Sequence, residues 1–328
     1  MAVSTEMNGA ALRGASLQRV TALLLRQLGL PLLGIGIFLL IWQGAASQIQ
    51  TSLGQFPGPA QVAQQASGLY AEYRSEKQRE AAFYERQLKR AEEQRAQDPN
   101  FVFEQRPYTG KPTFIQQIGT SLRTVFTGFA LAALIAIPLG IAIGLSTSLY
   151  TAINPLIQLF KPISPLAWLP LVTIVVSALY TSVHPAIPKS YVTSAFTVML
   201  CCLWPTVLNT AVGVASVSSD LVNVSRVLRL NWLRHVRSIV LPAAVPMIFT
   251  GLRLSLSTAW MVLIAAEMLA QNPGLGKFVW DEFQNGSSES LGRIMVAVIA
   301  IGLIGYLLDR GMLLLQRKVS WDKQAVAR

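Results

Sequence analysis

The chain has 328 residues, of which 52% are hydrophobic and only 13% charged, with a mean hydropathy of +0.45. That balance excludes an ordinary soluble domain and places the chain in a membrane. The net charge of +11 lies in arginines clustered beside apolar spans, as the positive-inside bias requires, and is read as topology, not as a nucleic-acid footprint. Cys201 and Cys202 are adjacent inside an apolar run, and His184 and His235 fall in separate loops. Neither a disulfide framework nor a metal site can be built from them.

Residues 1–27 are small and polar, with Arg13, Arg19 and Arg26 ahead of the first apolar run, and read as a cytoplasmic tail. The run over 28–46 is long enough to cross a bilayer at about 1.5 Å per residue. Ala45-Ala46-Ser47 is only a weak cleavage site, so 28–47 is expected to be a retained first transmembrane helix. Over 48–112 the composition changes. Gly54, Pro57, Gly58 and Pro59 break the chain, and 60–97 is rich in Ala, Gln, Glu, Lys and Arg. Glu85 with Lys89 and Glu76 with Arg79 support a solvated helix or helical hairpin, which Asp98-Pro99 stops. Tyr70, Tyr73, Phe83, Tyr84 and Leu88 form a contact strip, for the chain itself or for another protein. The plain reading is a spacer on the outer membrane surface.

The second span is expected over 120–145, where Gly140 and Gly144 would let another helix approach closely. A third follows Asn154-Pro155 and is interrupted by Pro162 and Pro165 before Trp168-Leu169-Pro170. Repeated prolines leave carbonyls unpaired, so this segment is expected to be broken and to face protein or a water-lined path. Pro165, Trp168 and Pro170 are therefore candidates for a translocation pathway. A short loop over 181–189 carries His184, Pro185, Pro188 and Lys189. The fourth span, 191–214, holds Trp204-Pro205 and the polar Asn209; the fifth, about 243–270, holds Arg253, Trp260 and Glu267; the sixth, 294–315, ends with Asp309, Arg310, Arg317 and Lys318. Counted from an inside amino end, six spans return the carboxyl tail, 316–328, to the cytoplasm. They also leave the loop over 216–242 there. Outer loops carry little positive charge beyond Lys189 and Lys277, in keeping with that count.

Within the cytoplasmic loop, 223–242 reads as a short amphipathic helix. Val224, Val227 and Leu228 fall on one side, Arg226, Arg229, Arg234 and Arg237 on the other, and Pro242 is expected to bar further helix within a turn. Such a helix cannot span; it lies on a surface or docks into a groove. Its spacing, with Asn223-Val224-Ser225 followed by Arg229 and then Ile239-Val240-Leu241-Pro242, resembles the loop of permease subunits of bacterial ABC importers. There the pattern is Glu-Ala-Ala, three residues, Gly, nine residues, Ile-x-Leu-Pro. Asn223 stands for the glutamate and Arg229 for the glycine, which predicts a different backbone path in the docking turn or a different partner surface. Gly251-Leu252-Arg253, Ala266-Glu267-Met268-Leu269, Trp280-Asp281-Glu282-Phe283 and Leu308-Asp309 resemble the branch that imports nitrate, bicarbonate, taurine and aliphatic sulfonates, closest to the nitrate permeases.

That resemblance implies an all-α membrane protein with six transmembrane helices of the type I ABC importer permease fold, its core at 113–315, carrying an inserted polar helical segment. It implies a permease homodimer in the bacterial inner membrane, two ABC ATPase subunits, and a periplasmic or lipid-anchored substrate-binding protein. Asn223, Val224, Ser225, Arg226, Leu228, Arg229, Leu230, Ile239, Leu241 and Pro242 would meet the ATPase. Nitrate or nitrite is the first expectation for the cargo, and bicarbonate, taurine or an aliphatic sulfonate the alternative. The turn Asn272-Pro273-Gly274-Leu275-Gly276 lacks the Gly-Lys-Ser/Thr of a nucleotide loop, so ATP hydrolysis belongs to a separate subunit and the chain is expected to be neither an enzyme nor a cofactor carrier.

Among single residues, Glu267 is a carboxylate inside an apolar span and thus a functional candidate. A carboxylate repels an anion, so the favoured role is structural, accepting hydrogen bonds from Trp or backbone groups near a gate. The competing roles are substrate contact, or the proton site of a stand-alone proton-coupled carrier. Arg253 lies about 20 Å away by helical rise and cannot pair with Glu267; it is expected to snorkel near the cytoplasmic interface or to guide an anion.

Overall fold

The computed structural model describes residues 29–51, 54–98, 101–181 and 187–319. The amino-terminal tail with its three arginines, Pro99, His184, Pro185 and the tail beyond 319 lie outside the described residues.

Helix α1 (Leu30–Gln48) is apolar on all sides and touches little of the chain; Ala46 is its buried residue. A two-residue antiparallel ribbon, β1 (Gln50–Thr51) and β2 (Gly54–Gln55), turns the chain. It leads into α2 (Pro59–Gln97), one continuous helix of 39 residues and not a hairpin. Pro59 opens it, Gln61 Oε1 accepts the Gly58 N–H at 3.2 Å, and ion pairs of Lys77 with Glu80, Arg79 with Glu76 and Lys89 with Glu85 lace its solvated faces. No Gly or Pro interrupts its carboxyl half, which leaves nothing to turn a hairpin.

The segment after α2 folds back along it. Gln87 exchanges hydrogen bonds with the Arg106 backbone (3.0 and 3.1 Å), the Tyr108 N–H donates to Tyr84 Oη (3.2 Å), and the Tyr108 phenol donates to Glu76 (2.7 Å). That last bond raises the Tyr108 pKa, with burial adding to it. Phe83 packs at a tilt against Tyr108, with 5.3 Å between centroids. Phe83 and Tyr84 of the strip are therefore spent internally, whereas Tyr70 and Leu88 stay exposed.

Thr113 and Gln116 form a capping box for α3 (Phe114–Leu145). The broken segment consists of α4 (Thr147–Phe160) and α5 (Pro165–Leu179), bent by 99°. The break falls over 161–164, where Pro162 ends one helix and Pro165 opens the next as its first residue. Pro155 and Pro170 are carried inside helices. Next comes α6 (Lys189–Ala215), then the short α7 (Ser219–Val227) and α8 (Trp232–His235). A π-helical turn (Val236–Val240) joins α8 to α9 (Leu241–Ala270). The chain closes with α10 (Leu275–Asn285) and α11 (Ser290–Val319).

Among the described residues five helices are long and apolar enough to cross a membrane, and six if the bent pair counts as one span. The core is a layer of α3, α6 and α9 around Val125, Val198, Val207, Ala259 and Leu263. Close approach is set by glycine. A Cβ at Gly128, Gly140 or Gly144 would strike the backbone or side chains of α6, and one at Gly251 would strike Thr206 and Asn209. Thr206 and Ser255 then share a buried hydroxyl contact of 2.7 Å between α6 and α9.

Pro242 does not stop the helix. Residues Trp232–Ala270 run as one rod of 39 residues, because the π turn lets the Leu241 N–H reach back to Val236 O and places Pro242 in the first turn of α9, where its missing N–H is no defect.

Candidate coupling surface and the polar node at the far end of α9

The loop end of the rod is built as a clasp. Helix α7 ends in two hydrogen bonds, Arg229 N–H to Arg226 O and Leu230 N–H to Ser225 O, both 3.1 Å. This is the pattern that closes a helix over a left-handed residue. The left-handed residue is Arg229, at φ 47°. The expected change of backbone path is therefore absent: the arginine takes the conformation that glycine favours, at a cost of about 1 kcal/mol. Asn231 Oδ1 accepts the Arg234 N–H (2.9 Å) and caps α8. Buried Ser225 meets His235 Nδ1 at 2.8 Å and pins α8 to α7. Below, Val240 packs with Val214, Ala244 and Ile248, and Leu241 leans on them.

The fold divides the ten loop candidates. Ser225 is buried, Leu230, Ile239 and Leu241 are half-buried, and Asn223, Val224, Arg226, Leu228, Arg229 and Pro242 face outward. Two exposed anchors escaped the sequence reading, Trp232 at 66% and Leu233 at 67% exposure; with Val227 at 81% they make the loop's apolar knob. Two apolar residues directly after an Asn helix cap were the signal available for them. Between α7 and α8 lies an open hollow of ≈ 590 Å³ lined by Ser225, Arg226, Arg229, Trp232 and His235.

At the other end, Glu267 is 0% exposed and sits in the last turn of α9, which Gln271 terminates at φ 56°. It lies near the carboxyl end of the span and not deep within it. Ser121 Oγ donates to both carboxylate oxygens (2.9 and 2.8 Å), and the Gly276 N–H donates to Oε2 (3.0 Å). Ser121 Oγ in turn accepts the Leu275 N–H (2.8 Å), and Asn272 Nδ2 donates to Thr124 (3.2 Å). A Cβ on Gly274 would collide with the carboxylate itself. Glu267 therefore caps α10 and ties it to α3, a negative charge at a helix amino end. Among the described residues no tryptophan donates to it; the Trp260 indole N–H goes to Ile301 O (2.9 Å) and binds α9 to α11.

Arg253 does not end as a free snorkelling cation. Its guanidinium makes a two-pronged pair with Asp309 of α11, at 2.6 and 2.9 Å. Asn209 spends its amide on Pro205 O in its own helix (2.8 Å). Pro165 and Trp168 stand at the bend, where Phe160 lies 6.0 Å from Trp168 and stacks on Trp204 at 6.2 Å. The pathway candidates are thus not gathered into one site. Trp168 is grouped with aromatics at the bend and, with α6 side chains, lines an apolar groove of ≈ 330 Å³. Trp260, Arg253 and Glu267 are joints between helices. Arg293, which the sequence reading passed over, bridges Glu72 of α2 (2.9 Å, both prongs) and Glu282 of α10 (2.8 Å). Among the described residues no cluster of metal-ligating side chains is present.

The family model for the binding-protein-dependent transport system inner membrane component matches residues 136–321. The chain is 41% identical over 203 residues to the nitrate import permease protein NrtB of Synechocystis, covering 62% of this chain and 69% of that one. It is 35% identical over 289 residues to the bicarbonate transport system permease protein CmpB of Synechococcus elongatus, covering 88% of each. Among solved structures, the inward facing MetNI methionine ABC transporter superposes with a TM-score of 0.53 at 16% identity, over 63% of this chain and 95% of that one; this shows the fold alone.

Proposed function

Because the chain belongs to the binding-protein-dependent transport system inner membrane component family and is a permease subunit of an ABC importer, we infer that its cargo is a small monovalent oxyanion, nitrate or nitrite first. The observation that carries this is the 41% identity to a nitrate permease. A second reading, bicarbonate, is favoured by the relative that aligns over 289 residues, 88% of this chain.

In this reading the chain hydrolyses nothing itself. A separate ATPase receives the knob of Val227, Leu228, Trp232 and Leu233, apolar anchors ringed by Arg226, Arg229 and Arg234. Closure of two ATPases pushes on α8, and the rod passes the movement to the Glu267 node roughly 50 Å away by helical rise. The bent α4 and α5 pair would swing between outward and inward access in a dimer of two copies. Glu267 serves as a joint that ties α9 to α3 and α10. A binding protein on the side of α2 would deliver the anion.

The test is reconstitution in liposomes with the ATPase and the binding protein. ATP-dependent uptake of labelled nitrate, or of bicarbonate in its place, is expected, with ATP turnover rising only when the loaded binding protein is added. A protein that purifies without an ATPase and moves anions on a proton gradient alone would overturn the importer mechanism.

A further inference from the structure

The bend between α4 and α5 lies deep in the membrane layer. Phe160, the last residue of α4, stacks on Trp204 with 6.2 Å between centroids and 6° between planes. Helix α6 runs over Lys189–Ala215, so Trp204 stands about 3 Å from its middle and about 17 Å from its clasp end by helical rise. The other end of α4 is at the clasp end: Gly144, three residues ahead of Thr147, lies so close to α6 that a Cβ there would strike Val214 and Ala211. Helix α4 therefore climbs from the clasp end to the middle of a layer whose hydrocarbon core is about 30 Å thick.

A helix making that climb in lipid should be apolar all round, and α4 is not. Leu149, Ile153 and Ile157 turn to the core. On another face Thr147, Thr151, Asn154, Gln158 and Lys161 recur at helical spacing, and all but the half-buried Asn154 are exposed. The Gln158 amide reaches Asn154 Oδ1 of the same row, at 3.4 Å. Lys161 closes the row at mid-membrane and forms no ion pair among the described residues. No Asp or Glu occurs between Glu104 and Asp220, a stretch that holds all of α3, α4, α5 and α6. The carboxyl end of α4 attracts a cation, but that attraction does not offset moving an unpaired ammonium from water into hydrocarbon. Water must reach this face.

We propose that the Thr147–Lys161 face of α4 lines the half of the anion's path next to the clasp, and that the Lys161 ammonium sets the path's preference for negative charge. Lys161 acts by its field and not by shape, so nitrate and hydrogencarbonate, both singly charged, are served alike. The inference rests on the importer reading for what moves along the face, but not for the face being wet.

The experiment labels single cysteines in open membrane fragments from cells producing the full chain, with both sides accessible and no nucleotide present. The background carries Cys201→Ser and Cys202→Ser. Asn154→Cys and Gln158→Cys are expected to react with charged methanethiosulfonates, whereas Leu156→Cys, exposed on the opposite face of α4, stays silent. At Gln158→Cys the rate of the sulfonate reagent relative to the trimethylammonium reagent should be about tenfold higher with Lys161 than with Lys161→Gln, and Lys161→Arg should keep the higher ratio. A lysine that merely ends a helix would not move that ratio. Silence at Gln158→Cys, labelling of Leu156→Cys as fast as Gln158→Cys, or a ratio unmoved by Lys161→Gln overturns the proposal. Labelling needs neither ATP nor cargo. Absence of ATP-driven uptake alongside the expected pattern would therefore sink the importer reading and leave the wet, cationic face standing, and uptake alongside a dry face would do the reverse.

Discussion

Asp309 and Arg253 are 56 residues apart in sequence and form the tightest charge pair among the helices that cross the bundle. Truncating one partner leaves the other charge in a low-dielectric layer, whereas exchanging both preserves the pair. Asp309→Asn is expected to lower stability by roughly 1–3 kcal/mol, read as a fall in the unfolding midpoint in nanodiscs, and Arg253→Asp with Asp309→Arg should recover most of it. Equal loss in the single and the exchanged variant would show that the site matters for shape and not for charge. Glu267 follows different rules, since its donors are a hydroxyl and a backbone N–H. Glu267→Gln turns an amide donor toward Gly276 or Ser121 and should cost about 1–3 kcal/mol, and Gly274→Ala should cost at least as much by collision with the carboxylate. Both residues stood out in the sequence as charges in apolar runs. Their partners did not, because Ser121 lies 146 positions from Glu267 and an ordinary serine in an apolar helix carries no mark of what it bonds. Arg293 escaped for a related reason: one of its two carboxylates, Glu72, lies 221 positions away on α2.

At the scale of elements the coupling loop departs most from what its residues suggested. A proline after an amphipathic stretch is ordinarily a stop, and an arginine in a glycine position ordinarily moves the backbone. Neither happened, because a π turn widened the helix ahead of Pro242 and a pair of hydrogen bonds held Arg229 left-handed. Such compensation depends on hydrogen-bond register, which composition does not encode. The helix-forming character of α2, by contrast, was plain in its i,i+3 and i,i+4 pairs, as was the break between α4 and α5 in its prolines. From this follows a separation of stability from coupling. Arg229→Gly relieves the left-handed strain and should leave the fold equally stable or about 1 kcal/mol more stable. If its side chain grips the ATPase, the same change should reduce transport-linked ATP turnover severalfold in the reconstituted complex. Leu228→Asp with Trp232→Asp, on a knob exposed in the free chain, should abolish co-purification with the ATPase while α-helix content by circular dichroism is unchanged. Normal co-purification of that double variant would remove the loop from the interface.

For the whole molecule, the continuous rod from Trp232 to Ala270 fixes two ends of one object. The clasp with its arginines is at one, and the Glu267 node and the long polar α2 are at the other. Arginines gather at the first end, Arg226, Arg229, Arg234 and Arg237 beside Arg317 and Lys318 of α11, and the positive-inside bias predicts that this end is cytoplasmic. The near balance of acid and base along α2 offers no such pull, and a segment of that length translocates irrespective of charge. On that bias α2 is expected outside, and the expectation is testable without any transport assay. Single cysteines placed at exposed positions, Arg86→Cys on α2 and Leu233→Cys on the clasp, should label with a membrane-impermeant maleimide in opposite ways. The first should react in intact spheroplasts and the second only after lysis. Background should be low, because Cys202 is buried and Cys201 half-buried inside α6. Labelling of Leu233→Cys in intact cells would invert the molecule, put the knob out of reach of any cytoplasmic ATPase, and undo the coupling route along α9 at its first step.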